Sequence, residues 1–114
     1  MRRIILLPLL LLALAAGTAR TDAPRVVEIT AKRYEFDPKV VTLKKNQPVT
    51  IRVTALDRPH GLLIAAFHVD LDAAPSAPAE ATITPTETGK FEAICDHYCG
   101  IGHGGMKMTF VVEE

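Results

Sequence analysis

Val49-Thr50-Ile51-Arg52-Val53-Thr54-Ala55 alternates apolar and polar residues without a break. A period of two places Val49, Ile51, Val53 and Ala55 on one face of an extended chain and the threonines and arginine on the other, the pattern of a half-buried strand. The same period recurs on both sides. Upstream, Val27, Ile29 and Ala31 oppose Glu28, Thr30 and Lys32, and Val40 to Leu43 is a short strand behind the turn Tyr34-Glu35-Phe36-Asp37-Pro38. Lys44-Lys45-Asn46-Gln47-Pro48 is a solvated turn, Leu56 to Pro59 a loop, and Gly61 to Val69 an apolar segment fit for a strand. Downstream, Asp70 to Pro78 reads as a loop because two prolines break it, and three further alternations follow: Ala79, Ala81, Ile83; Phe91, Ala93, Cys95; Met108, Phe110, Val112. About seven short strands between turn signals, with no amphipathic helix, predict an all-β Greek-key sandwich.

The chain has 114 residues, with 13 Lys+Arg against 13 Asp+Glu and 48% hydrophobic residues. One small core fits this length, and the balanced charge gives no reason to expect nucleic acid as a partner. Part of the hydrophobic fraction lies at the N-terminus, where Met1-Arg2-Arg3 precedes the apolar run Ile4 to Ala16 and the small residues Gly17-Thr18-Ala19. That order reads as a secretory signal over residues 1–19, with cleavage after Ala15 or Ala19. The alternative is a short uncleaved membrane anchor, although the run falls short of the roughly 20 apolar residues a spanning helix needs. Residues 20–24 form a linker and 25–114 the folded domain. The expected location is extracytoplasmic, in the periplasm of an organism that has one.

The chemistry is concentrated in Cys95-Asp96-His97-Tyr98-Cys99-Gly100-Ile101-Gly102-His103-Gly104-Gly105-Met106, which holds both cysteines of the chain. Thiol, imidazole and thioether together make a soft-to-borderline donor set, suited to copper rather than to magnesium, calcium or manganese. The glycines allow the tight and left-handed turns that bring these side chains to one point. His60 stands on the loop Leu56 to Gly61, which a Greek-key sandwich can bring to the same end. Other readings of the residues remain: a structural disulfide, the default for paired cysteines in an oxidising compartment, or tetrahedral zinc held by Cys95, Cys99, His60 and His103. A disulfide across three residues constrains little of the unfolded chain and leaves His103 and Met106 unexplained. Met108 and His68 read as ordinary packing or surface residues.

Cys95-x3-Cys99-x3-His103-x2-Met106, with Asp57-Arg58-Pro59-His60-Gly61 upstream, resembles the dinuclear copper A domain of cytochrome c oxidase subunit II and nitrous oxide reductase. The likeness extends to Tyr34-x-Phe36-x-Pro38 and to Pro48 through Thr54. It implies a cupredoxin-like barrel in which Cys95 and Cys99 bridge two coppers, with His60 and His103 as one imidazole on each. Met106 and the backbone carbonyl of His97 would be the weak axial ligands, and Asp57 would orient the upstream loop. The implied function is single-electron relay from a donor such as cytochrome c, or another periplasmic redox protein, to a terminal oxidase or other redox partner. Association with oxidase subunit I, and with the membrane through the N-terminus, would follow from the same resemblance. The chain has no tryptophan, whereas such subunits carry a tryptophan-rich cluster near the first strand; here Tyr34 and Phe36 occupy that region. Copper storage or delivery, and a mononuclear blue or red site built from Cys99, His103, Met106 and His60, are the competing functions.

Overall fold

The computed structural model describes residues 24–114, so the signal or anchor read at residues 1–19 and most of the linker lie outside the described residues. Nine strands follow in order: β1 (Arg25–Lys32), β2 (Glu35–Asp37), β3 (Val40–Lys44), β4 (Val49–Ala55), β5 (His60–Ile64), β6 (Val69–Ala73), β7 (Ala79–Ile83), β8 (Gly89–Ile94) and β9 (Lys107–Glu113). They form a four-stranded sheet in the order β2-β1-β4-β7 and a five-stranded sheet in the order β3-β9-β8-β5-β6. The pairs β1/β4 and β3/β9 are parallel and the rest antiparallel. Long crossovers between the sheets, rather than hairpins alone, are what this pattern requires.

Alternation sets the core. Val49, Ile51, Val53 and Ala55 of β4 are buried, as are Val27, Ile29 and Ala31 of the adjacent β1. The other sheet contributes Val41, Leu43, Leu62, Ile64, Met108, Phe110 and Val112. Phe67 packs against this core through a tilted ring contact at 5.3 Å to Phe91 and an edge-on one at 5.9 Å to Phe110. Each fully buried Val, Leu, Ile, Phe or Met among them stabilises the fold by roughly 1.5–3 kcal/mol relative to exposure.

Three expectations need correction. Tyr34 to Pro38 is not only a turn, because Glu35–Asp37 pairs antiparallel with β1 and buries Phe36. Asp70 to Pro78 is not wholly a loop: Asp70 and Asp72 point outward while Val69 and Ala73 are buried, so β6 ends before Pro75. His60 is no loop residue either, since it opens β5 opposite Ala73. The apolar segment Gly61 to Val69 is itself divided by a 3-10 turn, Ala65–Phe67, that closes on His68 in the left-handed region.

Strand direction fixes which loops meet. β5 and β8 run antiparallel with Leu63 opposite Ile94, and Ile94 in turn faces Lys107 of β9. The beginning of β5, the end of β8 and the beginning of β9 therefore share one pole. Loops 56–59 and 95–106 open there, while the turn at 45–48 lies at the other, where Lys44 and Lys45 pair loosely with Glu113 and Glu114.

Candidate metal centre

His60 is fully buried. Its Nε2–H donates to Asp57 Oδ1 at 2.6 Å, because Asp57 is an acceptor: its other oxygen, Oδ2, takes the Arg33 N–H at 2.8 Å, and Oδ1 also takes the Arg58 N–H at 2.8 Å. Desolvation works against the Asp57 carboxylate, but the Arg33 amide, the His60 ring and the Arg58 amide outweigh it and hold the group at about 2. A proton held on Nε2 by Asp57 leaves Nδ1 as the ring nitrogen that can offer a lone pair inward. Nδ1 is buried with no hydrogen-bond partner. An orphaned buried nitrogen costs about 1–3 kcal/mol, which is understandable if its partner is a metal ion.

Across from it, Cys95 lies just beyond β8 and Cys99 in the loop, both free and buried. Their sulfurs are 3.8 Å apart. One donor atom each from His60, Cys95 and Cys99 fall within 4.8 Å of one another. Cys99 is the hub, with His103 Nδ1 at 3.6 Å and Met106 Sδ at 3.8 Å. The Cys95 thiol donates to the His97 carbonyl at 3.2 Å, so the backbone oxygen, not the exposed imidazole of His97, belongs to the cluster. All six residues singled out in the sequence thus converge on one pole. The donor set fits a soft metal, and its orphaned nitrogen fits a ligand role.

The loop is closed by Cys95 N–H donating to Met106 O at 3.0 Å, with a 3-10 turn, His103–Gly105, inside it. Of its glycines, Gly100 alone has positive φ, 138°; there the backbone itself demands glycine. Gly61 serves by close approach, since a Cβ would strike the Asp96 carboxylate and lie 3.0 Å from the His97 amide nitrogen. This lets the loop pass directly beside His60.

Electrostatics favour a neutral thiol at Cys99 until a metal arrives. Burial, with the Cys95 thiol second, pushes Cys99 up to about 11. Metal binding must therefore release a proton there. Outside the cluster, Asp70, Asp72 and Asp96 gather on the surface. Partial desolvation and the Asp70 carboxyl, with Asp72 behind it, push Asp96 up to about 6.

Sequence reasoning did not foresee the Arg33 amide on Asp57, the Tyr34 ring on the loop glycines, or the Tyr98 ring 5.8 Å from that of His103. A backbone N–H leaves no trace in the residue type, and a surface tyrosine has many uses.

The family model of the cupredoxin-like domain matches residues 3–112. The chain belongs to the cupredoxin-like family. Within it, the chain is 25% identical over 88 residues to cytochrome c oxidase subunit 2 of Thermus thermophilus, covering 77% of this chain and 65% of that one. Nitrous-oxide reductase of Cupriavidus necator is 29% identical over 102 residues, 86% of this chain but 16% of the reductase. The chain therefore spans less than two thirds of either relative. Among solved structures, the periplasmic domain of cytochrome oxidase subunit II from Bradyrhizobium japonicum superposes with a TM-score of 0.73 at 22% identity, covering 79% of this chain and 84% of that one. Auracyanin A, a "blue" copper protein of Chloroflexus aurantiacus, gives 0.65 at 19% identity over 80% of this chain; both likenesses concern the fold. These relationships support an electron-transfer copper protein, and the cluster of His60, Cys95 and Cys99 fits copper. Among the described residues no helix is long and apolar enough to cross a membrane.

Proposed function

We propose that this cupredoxin-like protein is an exported electron carrier with a dinuclear copper A centre, relaying single electrons from a donor such as cytochrome c to a terminal oxidase or another redox partner. One observation carries the reading: a buried imidazole nitrogen without a partner faces two free buried thiols in a pocket that also takes in a thioether. In this reading the Cys95 and Cys99 thiolates, His60 Nδ1, His103 Nδ1, the Met106 thioether and the His97 carbonyl would together hold the two coppers.

Bound copper supplies a one-electron couple. The protein's part is to keep its donors where they are. Asp57 fixes the tautomer and orientation of His60; the buried sulfurs and the strand ends at β5 and β8 limit rearrangement and exclude water. The Met106 thioether and the hydrogen bonds near the sulfurs would tune the potential. A donor set this complete leaves little room for a substrate, which separates the site from catalytic metal centres with an open position. The N-terminal run would deliver the domain to the extracytoplasmic side, and the kinship with oxidase subunit 2 makes oxidase subunit I a candidate neighbour.

Rapid mixing of the oxidised, copper-loaded protein with reduced cytochrome c tests this directly. A relay takes up electrons and keeps its copper against a thiol-free chelator. A protein built for storage or delivery would surrender copper to the chelator without accepting electrons, and that result would refute the relay.

A further inference from the structure

We propose that the turn Arg33–Tyr34 is a brace that holds both loops of the candidate centre, 56–59 and 95–106, at once, and that residue 102 is glycine because the Tyr34 ring lies on it. The turn joins β1 to β2 at the same pole as the candidate centre, and each of its residues reaches a different loop. The Arg33 amide donates to Asp57 Oδ2 at 2.8 Å, and Asp57 Oδ1 accepts from His60. That half of the brace orients the imidazole through its carboxylate partner.

Tyr34 holds the other half. A Cβ built on Gly102 would overlap the ring, 2.5 Å from Cγ and 2.8 Å from Cε2, and a Cβ on Gly100 would come 2.5 Å from Oη. The ring therefore lies directly against the stretch that connects Cys99 to His103. The two glycines have different reasons to be there. Gly100 needs its left-handed φ of 138°. Gly102 has φ −81° and ψ 6°, which any residue adopts, so its missing side chain is explained by the ring alone. Gly104 and Gly105 provide the internal contrast, since a Cβ at either meets nothing within 4 Å.

Physically, the brace answers a need the loop has by itself. A glycine-rich loop loses much conformational entropy on ordering, and it presents buried thiols that must be in place before they are useful. An aromatic ring packed on its backbone lowers the population of open states. Tyr34 remains 40% exposed, so its inner face packs while its outer edge stays in water; it is a positioning residue, acting on Cys99 and His103 through the backbone between them.

The test uses the full chain, reduced and metal-free, and measures how fast Cys95 and Cys99 react with an aromatic disulfide under native conditions. Tyr34→Ala should raise the rate about tenfold, as expected when roughly one aromatic contact's worth of local stability is lost. Tyr34→Phe should restore the slow rate. Gly102→Ala should open the loop to a similar degree, yet cost nothing further in the Tyr34→Ala background, while Gly104→Ala leaves the rate unchanged. Tyr34→Leu carries the same comparison if the alanine variant does not fold. An unchanged rate in Tyr34→Ala, or costs of the Tyr34 and Gly102 changes that simply add, would overturn the brace. The proposal rests on the copper reading only for its purpose. Paired copper with unaltered thiol rates in every variant would remove the brace and leave the relay, whereas the predicted thiol rates without copper pairing would do the reverse.

Discussion

His60 enters the candidate centre from the first position of a strand, whereas Cys99, His103 and Met106 enter it from a loop whose backbone hydrogen bonds run within the loop itself. On the strand side, position is set by sheet register and by a carboxylate with three N–H donors. On the loop side it is set by burial of the sulfurs, by the closing bond from Cys95 to Met106, and by a ring against glycine. The contrast separates two jobs. The strand side supplies one imidazole oriented by its carboxylate; the loop side supplies the sulfurs, the softest donors of the cluster.

The sharpest way to break this division is on the loop. Cys95→Ser should abolish a paired-copper spectrum and leave at most one copper per chain, read by metal analysis with absorption spectroscopy; an intact pair would remove Cys95 as a bridge. On the strand side, Asp57→Asn should keep the stoichiometry but weaken copper binding by about 10–100-fold, the usual cost of losing the partner that orients a metal-binding histidine. Chelator competition measures it. If the asparagine variant instead changed the number of coppers, the two sides would not be separable in this way.

Much of this contrast is legible in the sequence. The alternations at Val27–Ala31, Val49–Ala55 and Met108–Val112 became strands with the expected faces buried, and Ala79–Ile83 became a strand whose expected face is half-buried. The donors could be picked out because few residue types bind soft metals and they crowd one stretch. β2 was hidden because three residues are too few to display a period, and only pairing with β1 makes them a strand. β6 was hidden because two aspartates and the later prolines outweighed its buried Val69 and Ala73. Least legible were contacts that use the backbone. Gly100 and Gly102 look alike in sequence, yet one is required by its φ angle and the other by the space that Tyr34 occupies.

Two smaller effects sharpen the comparison. Met106→Leu keeps core volume, so it should cost less than about 1.5 kcal/mol of stability while shifting the reduction potential in a voltammetric measurement with both coppers retained. Loss of copper in that variant would make Met106 a structural part of the centre rather than a tuning one. In the metal-free protein, Asp96 releases its proton only around pH 6, above its ordinary 3.8. The folded state therefore holds that proton more tightly than the unfolded one, and this contribution is complete below about pH 4 and lost as pH rises through 6. Asp96→Asn should flatten the decline in urea midpoint across that window; equal slopes in variant and parent would count against the crowding of Asp70, Asp72 and Asp96.

The central claim is that two thiolates hold two coppers as one electronic unit. Electron paramagnetic resonance of the copper-loaded protein, recorded with its metal content, tests it most directly. The account predicts two coppers per chain sharing one unpaired electron, with hyperfine structure from both nuclei; a single copper with an ordinary four-line pattern would contradict it.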